Sequence, residues 1–376
     1  MASYLRGTVA EIDLAAIQHN ARVFRQQVGN RVGVMGVVKA DAYGHGAVPV
    51  ARALRDAGVD WLGVATAEEG EELRQAGIGG PVLVLGPSNR EQLRLAVERR
   101  LDVILVDEAG WRDLNAVLEQ GDCRPRVHLK VDTGMGRVGV PPESVVPEWL
   151  PRLTGGSVEW VGLMSHFAES DAEDSGFTRQ QLSTFLDVIE AVREAGVALP
   201  SHLHLANSAA TLRYPGTHFS LVRVGIGLYG SEPWSVTYGL RPAMRLVSRV
   251  TMVKRVGPGQ PIGYGRAYVT TRPTVIATVA VGYADGYPRS FSNVGWVLIQ
   301  GQRCPVVGRV SMDQTTVAVP DGLAVRPGER VTLMGQDGED EISAHDWAQW
   351  SGTISYEVLT RIGSRVPREY VSQVRR

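Results

Sequence analysis

Residues able to carry out chemistry follow short apolar runs in the first 230 residues of this 376-residue chain. Lys39 ends the run VGVMGVV, and Ser165-His166 ends another such run. In all, five of eight such runs end at or just before Lys, His, Asn or Arg. In the other three of these five runs the residues are Lys130, His204 with Asn207, and Arg223. A buried charge is costly unless it is paired or binds a ligand. One such histidine is more often structural, but five positions together predict a ligand site.

Lys39 is the residue of this set with the most specific chemistry. Burial at the end of an apolar strand disfavours the ammonium form, so the pKa falls and the neutral amine is favoured. The neutral amine is the form that condenses with a carbonyl group to give a Schiff base. The alternative is a lysine whose head group merely extends out of the strand end into water.

A glycine-rich turn, Gly225-Ile226-Gly227, follows the last of the eight runs. In parallel barrels, loops at this place often bind phosphate through backbone N–H groups, and Ser208 can add a hydroxyl. The alternative is an ordinary tight turn between a strand and a helix. Together with Lys39, the turn indicates a phosphorylated carbonyl ligand, for which pyridoxal phosphate is the obvious candidate.

The eight runs predict the strands that must position these side chains. They are Val32–Lys39, Trp61–Ala65, Pro81–Leu85, Asp102–Val106, Arg126–Val131, Trp160–Ser165, His202–Ala206 and Leu221–Val224. Near-continuous apolar runs indicate strands buried on both faces, and helix-like segments separate them. Eight strands alternating with helices over about 230 residues predict a (β/α)8 barrel. A doubly wound open sheet is the competing architecture.

The pattern changes after about residue 235, where helical periodicity largely disappears. Short strand-like segments separated by Gly and Pro turns predict a mostly β C-terminal domain. These segments are Arg245–Arg255, Thr274–Gly282, Trp296–Ile299, Cys304–Val310, Gln314–Val319 and Glu329–Met334. Helices are predicted at Ala344–Ser351, with Ser343 as the N-cap, and at Ser355–Ile362. The predicted domains are therefore 1–235 and 236–376, and a first strand at about 8–12 is expected to pair with the second domain.

Composition excludes several classes of protein. The 39 Lys and Arg against 40 Asp and Glu give a net charge of −1, so neither nucleic acid nor a membrane is a predicted partner. The two cysteines, Cys123 and Cys304, indicate reduced thiols in a cytosolic protein. The N-terminus lacks an apolar signal segment, and no apolar run approaches the roughly 20 residues of a membrane span. The 43 glycines indicate many tight loops. A cytoplasmic location is expected, and no metal site is predicted.

The segment VVKADAYGHGA around Lys39 resembles the cofactor-lysine motif of alanine racemases. The resemblance covers essentially the whole chain, in the family's order. Its further motifs are LKVDTGMGRVG, SHFAESD, HLANSAA, VRVGIGLYG, IGYGRAY, VGYADGYPR, GRVSMDQ and ISYEVLTRIGSRVPR.

The resemblance implies how the cofactor is held. Lys39 would carry pyridoxal phosphate, Arg223 would face the pyridine nitrogen, and His204 would hydrogen-bond to that arginine. His166 would lie beside the cofactor. The other residues implied in cofactor binding, mainly at the phosphate, are Tyr43, Asn207, Ser208, Gly225, Ile226 and Tyr356.

Racemisation removes the Cα proton from one face and returns a proton from the other, so two bases on opposite sides are needed. The resemblance implies that Lys39 serves D-alanine and that Tyr264, from the other subunit of a homodimer, serves L-alanine. A phenol has a pKa near 10, so positive charge or hydrogen bonds must lower it, and His166 is a candidate for that help.

The family's remaining roles concern the substrate. Arg137 would contact the cofactor's phenolic oxygen and the substrate carboxylate region, and a carbamylated Lys130 would position Arg137. Met312 and Asp313 of the other subunit would line the substrate pocket. The implied activity is interconversion of L- and D-alanine, with D-alanine supplied for peptidoglycan.

Three alternatives can be weighed at the level of sequence, and the second domain with Tyr264 argues against the last two. The chain could be a related pyridoxal-phosphate racemase with broader or serine specificity. A decarboxylase of the same fold should lack the Tyr264 and Met312-Asp313 pattern. A catalytically silent cofactor carrier would resemble the barrel alone.

Overall fold

The computed structural model describes residues 6–119, 124–172 and 176–371, and these divide into two compact units. The β unit contains Met1–Ile17, Tyr43–Gly46 and Tyr229–Arg376. The barrel unit contains Gln18–Ala42 and Ala47–Leu228. Cys123 lies outside the described residues, whereas Cys304 is a buried free thiol.

The chain begins with strand β1 (Val9–Asp13) and helix α1 (Leu14–Val28). The carboxylate of Asp13 accepts a hydrogen bond from the Ala16 N–H at 2.8 Å, which satisfies a free donor in the first turn of α1. Ile17, Ala21 and Phe24 are buried at the spacing of one helix face.

Eight parallel strands form the barrel. They are β2 (Gly33–Val37), β3 (Trp61–Val64), β4 (Val82–Val84), β5 (Asp102–Leu105), β6 (Arg126–Lys130), β7 (Glu159–Met164), β8 (His202–His204) and β9 (Leu221–Val224). Their order is β8-β7-β6-β5-β4-β3-β2-β9. The ring is nearly closed between β8 and β9, where the Ser220 N–H donates to the Leu203 carbonyl at 3.2 Å. The predicted barrel is confirmed, and the open sheet is excluded.

Helices follow most barrel strands. They are α2 (Lys39–Gly44), α3 (Ala47–Asp56), α4 (Ala67–Gln75), α5 (Arg90–Glu98), α6 (Glu108–Leu118), α7 (Leu150–Thr154), α8 (Gly176–Glu194), α9 (Ser208–Arg213) and α10 (Ile226–Tyr229). Short 3-10 turns occupy Pro142–Ser144 and Pro215–Thr217, and a π turn occupies Val145–Trp149. One apolar core cluster of the barrel unit contains Met35, Trp61, Leu83, Ile104, Val106, Met164 and Leu221.

The β unit is built mainly from strands. They are β10 (Met244–Val256), β11 (Pro261–Ile262), β12 (Tyr268–Val269), β13 (Thr274–Val279), β14 (Trp296–Ile299), β15 (Gln302–Pro305), β16 (Thr315–Val319), β17 (Arg330–Asp337), β18 (Asp340–Ile342) and β19 (Arg368–Val371). Two helices follow β18, α11 (Ala344–Ser351) and α12 (Ser355–Thr360). Short 3-10 turns lie at Pro233–Tyr238, Tyr264–Arg266, Tyr283–Asp285 and Arg289–Phe291.

The long strand β10 organises the sheet of the β unit. It pairs antiparallel with β1, β13 and β17, and β1 pairs in parallel with β19. The predicted strand Cys304–Val310 is wrong over its second half, because β15 covers only Gln302–Pro305. Gly308 has a φ of +80°, which a continuing strand does not tolerate. Among the described residues, no helix has the length and apolar character needed to cross a membrane.

Candidate active site

Lys39 lies immediately after the first barrel strand. The N–H of the preceding residue, Val38, donates to the Gly63 carbonyl at 2.8 Å, which fixes the end of β2. Burial lowers the pKa of Lys39 below its usual value of 10.5, and the charge of Arg137 lowers it further, while Glu69 opposes the shift. The surroundings of Lys39 therefore shift it toward the neutral amine, in the direction that the sequence predicts.

Lys39 opens a turn with an unusual backbone. Ala40, Asp41, Ala42 and Tyr43 have φ values of +51° to +54°, which is the left-handed helical region. This conformation costs an L-residue roughly 1–2 kcal/mol, so other contacts must hold the turn. The Asp41 carboxylate accepts from the Ala47 N–H at 2.7 Å, and Glu69 accepts from the Ala40 N–H at 2.8 Å. Strain of this kind clusters at functional sites.

Tyr43, at the end of this turn, belongs to the β unit and is buried there. Its ring centroid lies 4.9 Å from that of Tyr229 and 6.0 Å from that of Tyr356. Burial raises the pKa of Tyr43, so its phenol is a neutral hydrogen-bonding group. Tyr356 is half-exposed in α12.

Three cationic side chains of the barrel unit, Arg223, Arg137 and Lys39, act on a fourth, Lys130. Burial is the largest cause that lowers the pKa of Lys130 to about 8, followed by the charges of Arg223 and Arg137. Lys39 lowers that pKa as well, and Asp132 raises it. A concentration of positive charge at the carboxyl ends of barrel strands favours an anionic ligand.

Arg223 is the most buried of these cations and is only 4% exposed. Its Nη1 donates to His204 Nδ1 at 3.1 Å, and its Nη2 donates to His166 Nδ1 at 2.9 Å and to the Ser165 carbonyl at 2.7 Å. Burial lowers its pKa to about 10, so the guanidinium stays charged near neutral pH. The groups that accept these and its other hydrogen bonds are imidazole nitrogens and backbone carbonyls, which are neutral.

Both histidines bound to Arg223 are neutral. Burial, and next the charge of Arg223, hold the pKa values of His166 and His204 well below the usual 6.5. A guanidinium can only donate, so each histidine must present an unprotonated Nδ1 to it. His166 therefore offers hydrogen bonds rather than positive charge.

The glycine-rich turn after β9 is organised around Ser208. The hydroxyl of Ser208 accepts from the N–H groups of Gly225 and Gly227 at 2.9 and 3.2 Å, which leaves its own proton to donate. A Cβ on Gly227 would lie 2.5 Å from the Phe24 ring, so a side chain does not fit there. Asn207 uses its side-chain oxygen to cap α9, accepting from the Ala210 N–H at 3.0 Å.

Three further candidate residues of the β unit, Tyr264, Met312 and Asp313, are exposed. Tyr264 is 72% exposed, between Gly263 and Gly265, which both have positive φ. Met312 is 52% exposed, and Asp313 forms an ion pair with Arg365 at 2.8 Å.

Sequence reasoning missed two buried polar residues of the barrel, Asp102 and His128, which are 3% and 0% exposed. His128 Nδ1 lies 2.9 Å from His204 Nε2, and His128 Nε2 lies 3.3 Å from Asp102 Oδ2. The signal was available, because a charged residue begins the run DVIL and a histidine interrupts the run RVHLK. Neither residue lies at the carboxyl end of its run, where chemistry is expected in a barrel.

The fold and site define a class of parallel-barrel protein with a lysine of lowered pKa and a buried arginine where the strands end. A family model of the alanine racemase N-terminal domain matches residues 12–233, and one of the C-terminal domain matches residues 243–370. The chain therefore belongs to the alanine racemase family, as the sequence motifs predicted, and is an enzyme of the isomerase class.

Individual relatives agree with this assignment. The chain is 45% identical to an alanine racemase of Symbiobacterium thermophilum, with 97% of each chain covered. It is also 45% identical to an alanine racemase of Geobacter sp. (strain M21), covering 97% of this chain and 99% of the relative. The crystal structure of alanine racemase from Streptomyces lavendulae superposes with a TM-score of 0.91 at 40% identity, covering 98% of each chain.

Another similar solved structure holds a ligand. The alanine racemase from Bacillus anthracis with bound L-Ala-P has a TM-score of 0.91 and 38% identity, and the match covers 98% of this chain and 96% of that one.

Proposed function

We propose that this chain is an alanine racemase that interconverts L- and D-alanine with pyridoxal phosphate bound at Lys39. The observation that carries the proposal is that the charges of three cations, Arg223, Arg137 and Lys39, all lower the pKa of a fourth, Lys130. A phosphorylated cofactor and an amino-acid carboxylate are the anions that such a group suits. The names of the relatives support alanine as the substrate.

The residues present fit pyridoxal phosphate. Lys39 has the lowered pKa that attack on the cofactor aldehyde requires. Arg223 offers a permanent cation toward the pyridine nitrogen, and Ser208 and the amide of Ile226 offer donors for the phosphate. We assign Gly225, Tyr43, Tyr356 and Asn207 to cofactor binding as well. His204 would hold Arg223, and His166 would lie beside the cofactor.

When bound, the cofactor withdraws electrons from the substrate and so makes its Cα proton acidic. Arg223 disfavours protonation of the pyridine nitrogen, because a second positive charge beside a guanidinium is costly. This limits electron withdrawal and suppresses side reactions such as transamination.

Proton transfer needs one base on each face of the substrate. The Lys39 amine would take and return the proton on the D face. Tyr264 of the partner subunit does so on the L face. The high exposure of Tyr264 in its own unit supports a role outside that unit, and Met312 and Asp313 are assigned with it to the partner's pocket.

Arg137 is assigned to the substrate carboxylate, with Lys130 positioning it. A pKa of about 8 leaves a fraction of the Lys130 amine neutral near neutral pH. That neutral amine can add carbon dioxide and release a proton, which gives a carbamate anion able to pair with Arg137. We also propose that the D-alanine formed is used for peptidoglycan.

The direct test is racemisation of L-alanine by the full chain loaded with pyridoxal phosphate, followed by separation of enantiomers. Formation of a mixture of both enantiomers, whichever one is supplied, supports the proposal. L-serine supplied in parallel tests the broader-specificity alternative. Racemisation of serine as fast as alanine would contradict the assignment of alanine as the substrate. Racemisation of neither amino acid would contradict the assignment as a racemase.

A further inference from the structure

A continuous line of hydrogen bonds crosses the interior of the barrel unit. It runs from Asp102 at the start of β5 through His128 in β6 and His204 in β8 to Arg223 in β9, and we call these four residues the interior network. The successive distances are 3.3, 2.9 and 3.1 Å. All four side chains are buried, with exposures of 4% or less.

The network has a single consistent arrangement of protons. Arg223 can only donate, so His204 Nδ1 must be unprotonated and its hydrogen lies on Nε2. That hydrogen points at His128 Nδ1, which must then accept, so His128 also carries its hydrogen on Nε2. The carboxylate of Asp102 accepts this last hydrogen. Both histidines are thus neutral Nε2–H tautomers, and every contact has one donor and one acceptor.

Asp102 sets the direction in which the hydrogen bonds of the network run, because an ionised carboxylate can only accept a hydrogen bond. Arg126 Nε donates to both of its oxygens, at 3.2 and 3.1 Å. An amide at this position would turn an N–H toward Arg126 or toward His128, and both are donors.

The surrounding backbone is shaped to admit His128. Gly162 of β7 pairs in register with His128, and a Cβ there would lie 1.8 Å from His128 Nδ1. The Trp61 ring meets the His128 ring edge-on at 5.6 Å between centroids. The ring of His128 therefore has one position, which directs Nδ1 at His204.

Stability alone does not account for such a network. Replacing buried polar groups with apolar side chains of similar volume is often neutral or stabilising. The interior of this barrel already contains an apolar cluster that could extend into this space.

We propose that Asp102 and His128 are positioning residues, which fix His204 as an acceptor and so hold the guanidinium of Arg223 in place for its ligand. This proposal depends on the proposed function in one respect only, the identity of the ligand of Arg223. Neither residue is assigned to touch substrate or cofactor. Their effect passes through the orientation of Arg223.

The first arm of the test reads tautomers and needs no turnover. The full chain is labelled with 15N-histidine, and the ring nitrogens are recorded by NMR with and without pyridoxal phosphate. We expect His128 and His204 as Nε2–H tautomers in both samples. An imidazolium or an Nδ1–H tautomer at either residue would overturn the network.

The second arm compares His128→Phe with His202→Phe as a matched control. His202 is also a histidine beside Trp61, at 4.8 Å between centroids, but lies outside the network. His128→Phe should lose the single His204 tautomer, shift the absorption band of the bound cofactor and lower kcat roughly tenfold with little change in KM. His202→Phe should leave all three unchanged.

Two outcomes separate the possible failures. The His128→Phe protein could be less stable in denaturant and yet keep its His204 tautomer, absorption band and kcat. That result would show that His128 has only a structural role. A wild-type chain that shows the predicted tautomers but racemises nothing would contradict the proposed function and leave the network standing. If His128→Phe does not fold, Asp102→Asn provides the same three readouts with an isosteric change.

Discussion

The ring of His128 occupies the space that a side chain at Gly162 would need, with its Nδ1 1.8 Å from the position of a Cβ there. Gly162→Ala should therefore force the ring away and destabilise the protein by about 1–3 kcal/mol, the usual effect of overpacking a core. Urea unfolding of the two proteins measures this difference. Gly79→Ala is the control, because a Cβ at Gly79 would have no neighbour within 4 Å, and it should change stability by less than about 0.5 kcal/mol. Equal effects of the two changes would contradict the packing argument.

The pKa of Lys39 should respond in opposite directions to its two charged neighbours. Arg137 lowers it and Glu69 raises it, so Arg137→Gln should raise the pKa and Glu69→Gln should lower it further. The pH at which the apo-protein reaches half its maximal rate of pyridoxal phosphate uptake should move up in the first variant and down in the second. Absorbance of the cofactor bound to Lys39 follows the rate. Shifts of the same sign would show that these charges do not control Lys39.

Lys130 should take up carbon dioxide as pH rises. Its pKa of about 8 means that the neutral amine grows from a minor to the major form between roughly pH 7 and 9. In 13C-labelled bicarbonate, a carbamate resonance should appear over this range and be absent in Lys130→Arg, which keeps the positive charge but cannot form a carbamate. The same variant should raise the KM for alanine about tenfold through Arg137. A carbamate signal that persists in Lys130→Arg would assign it elsewhere.

Arg223 should restrain side reactions. Arg223→Glu replaces the guanidinium with a group that can pair with a protonated pyridine nitrogen, so electron withdrawal from the substrate increases. Pyruvate released per racemisation event should rise at least tenfold, and a coupled assay of pyruvate measures it. Arg223→Gln, which removes the charge without adding a carboxylate, should give a smaller rise. No rise in Arg223→Glu would count against the role of this charge.

The active site should need two subunits. Lys39→Ala and Tyr264→Phe each remove one proposed base, so each homodimer should lack activity. If Tyr264 completes the partner's site, mixing the two inactive proteins produces mixed dimers with one intact site. Activity should then appear on mixing, to about a quarter of the wild-type level if subunits exchange at random. Inactivity after demonstrated subunit exchange would mean that the sites are not shared.

Much of the barrel was predictable because its strands are buried on both faces. Runs such as Trp61–Val64 are continuously apolar, and Lys39 and Arg223 stand out as charges beside them. Helix α1 was not predicted, although Ile17, Ala21 and Phe24 lie on one helix face, because polar residues such as His19 and Asn20 dilute the pattern.

The interior network was not predictable from strand ends alone. Asp102 and His128 lie at the start and in the middle of their strands, and their meaning depends on which strands are neighbours. The left-handed turn at Ala40–Tyr43 was equally hidden, because alanine and tyrosine rarely adopt positive φ and a single aspartate is a weak signal for it. Both features follow from tertiary contacts.

The central claim is that Lys39 and Tyr264 act as bases on opposite faces of alanine. The most direct measurement is exchange of the α-proton of L-alanine and, separately, of D-alanine in heavy water by the pyridoxal-phosphate-loaded protein, recorded by proton NMR. The account predicts exchange of both enantiomers by the wild-type protein and, in Tyr264→Phe, a much larger loss of exchange from L-alanine than from D-alanine. Exchange of neither enantiomer by the wild-type protein, or of one only, would contradict it.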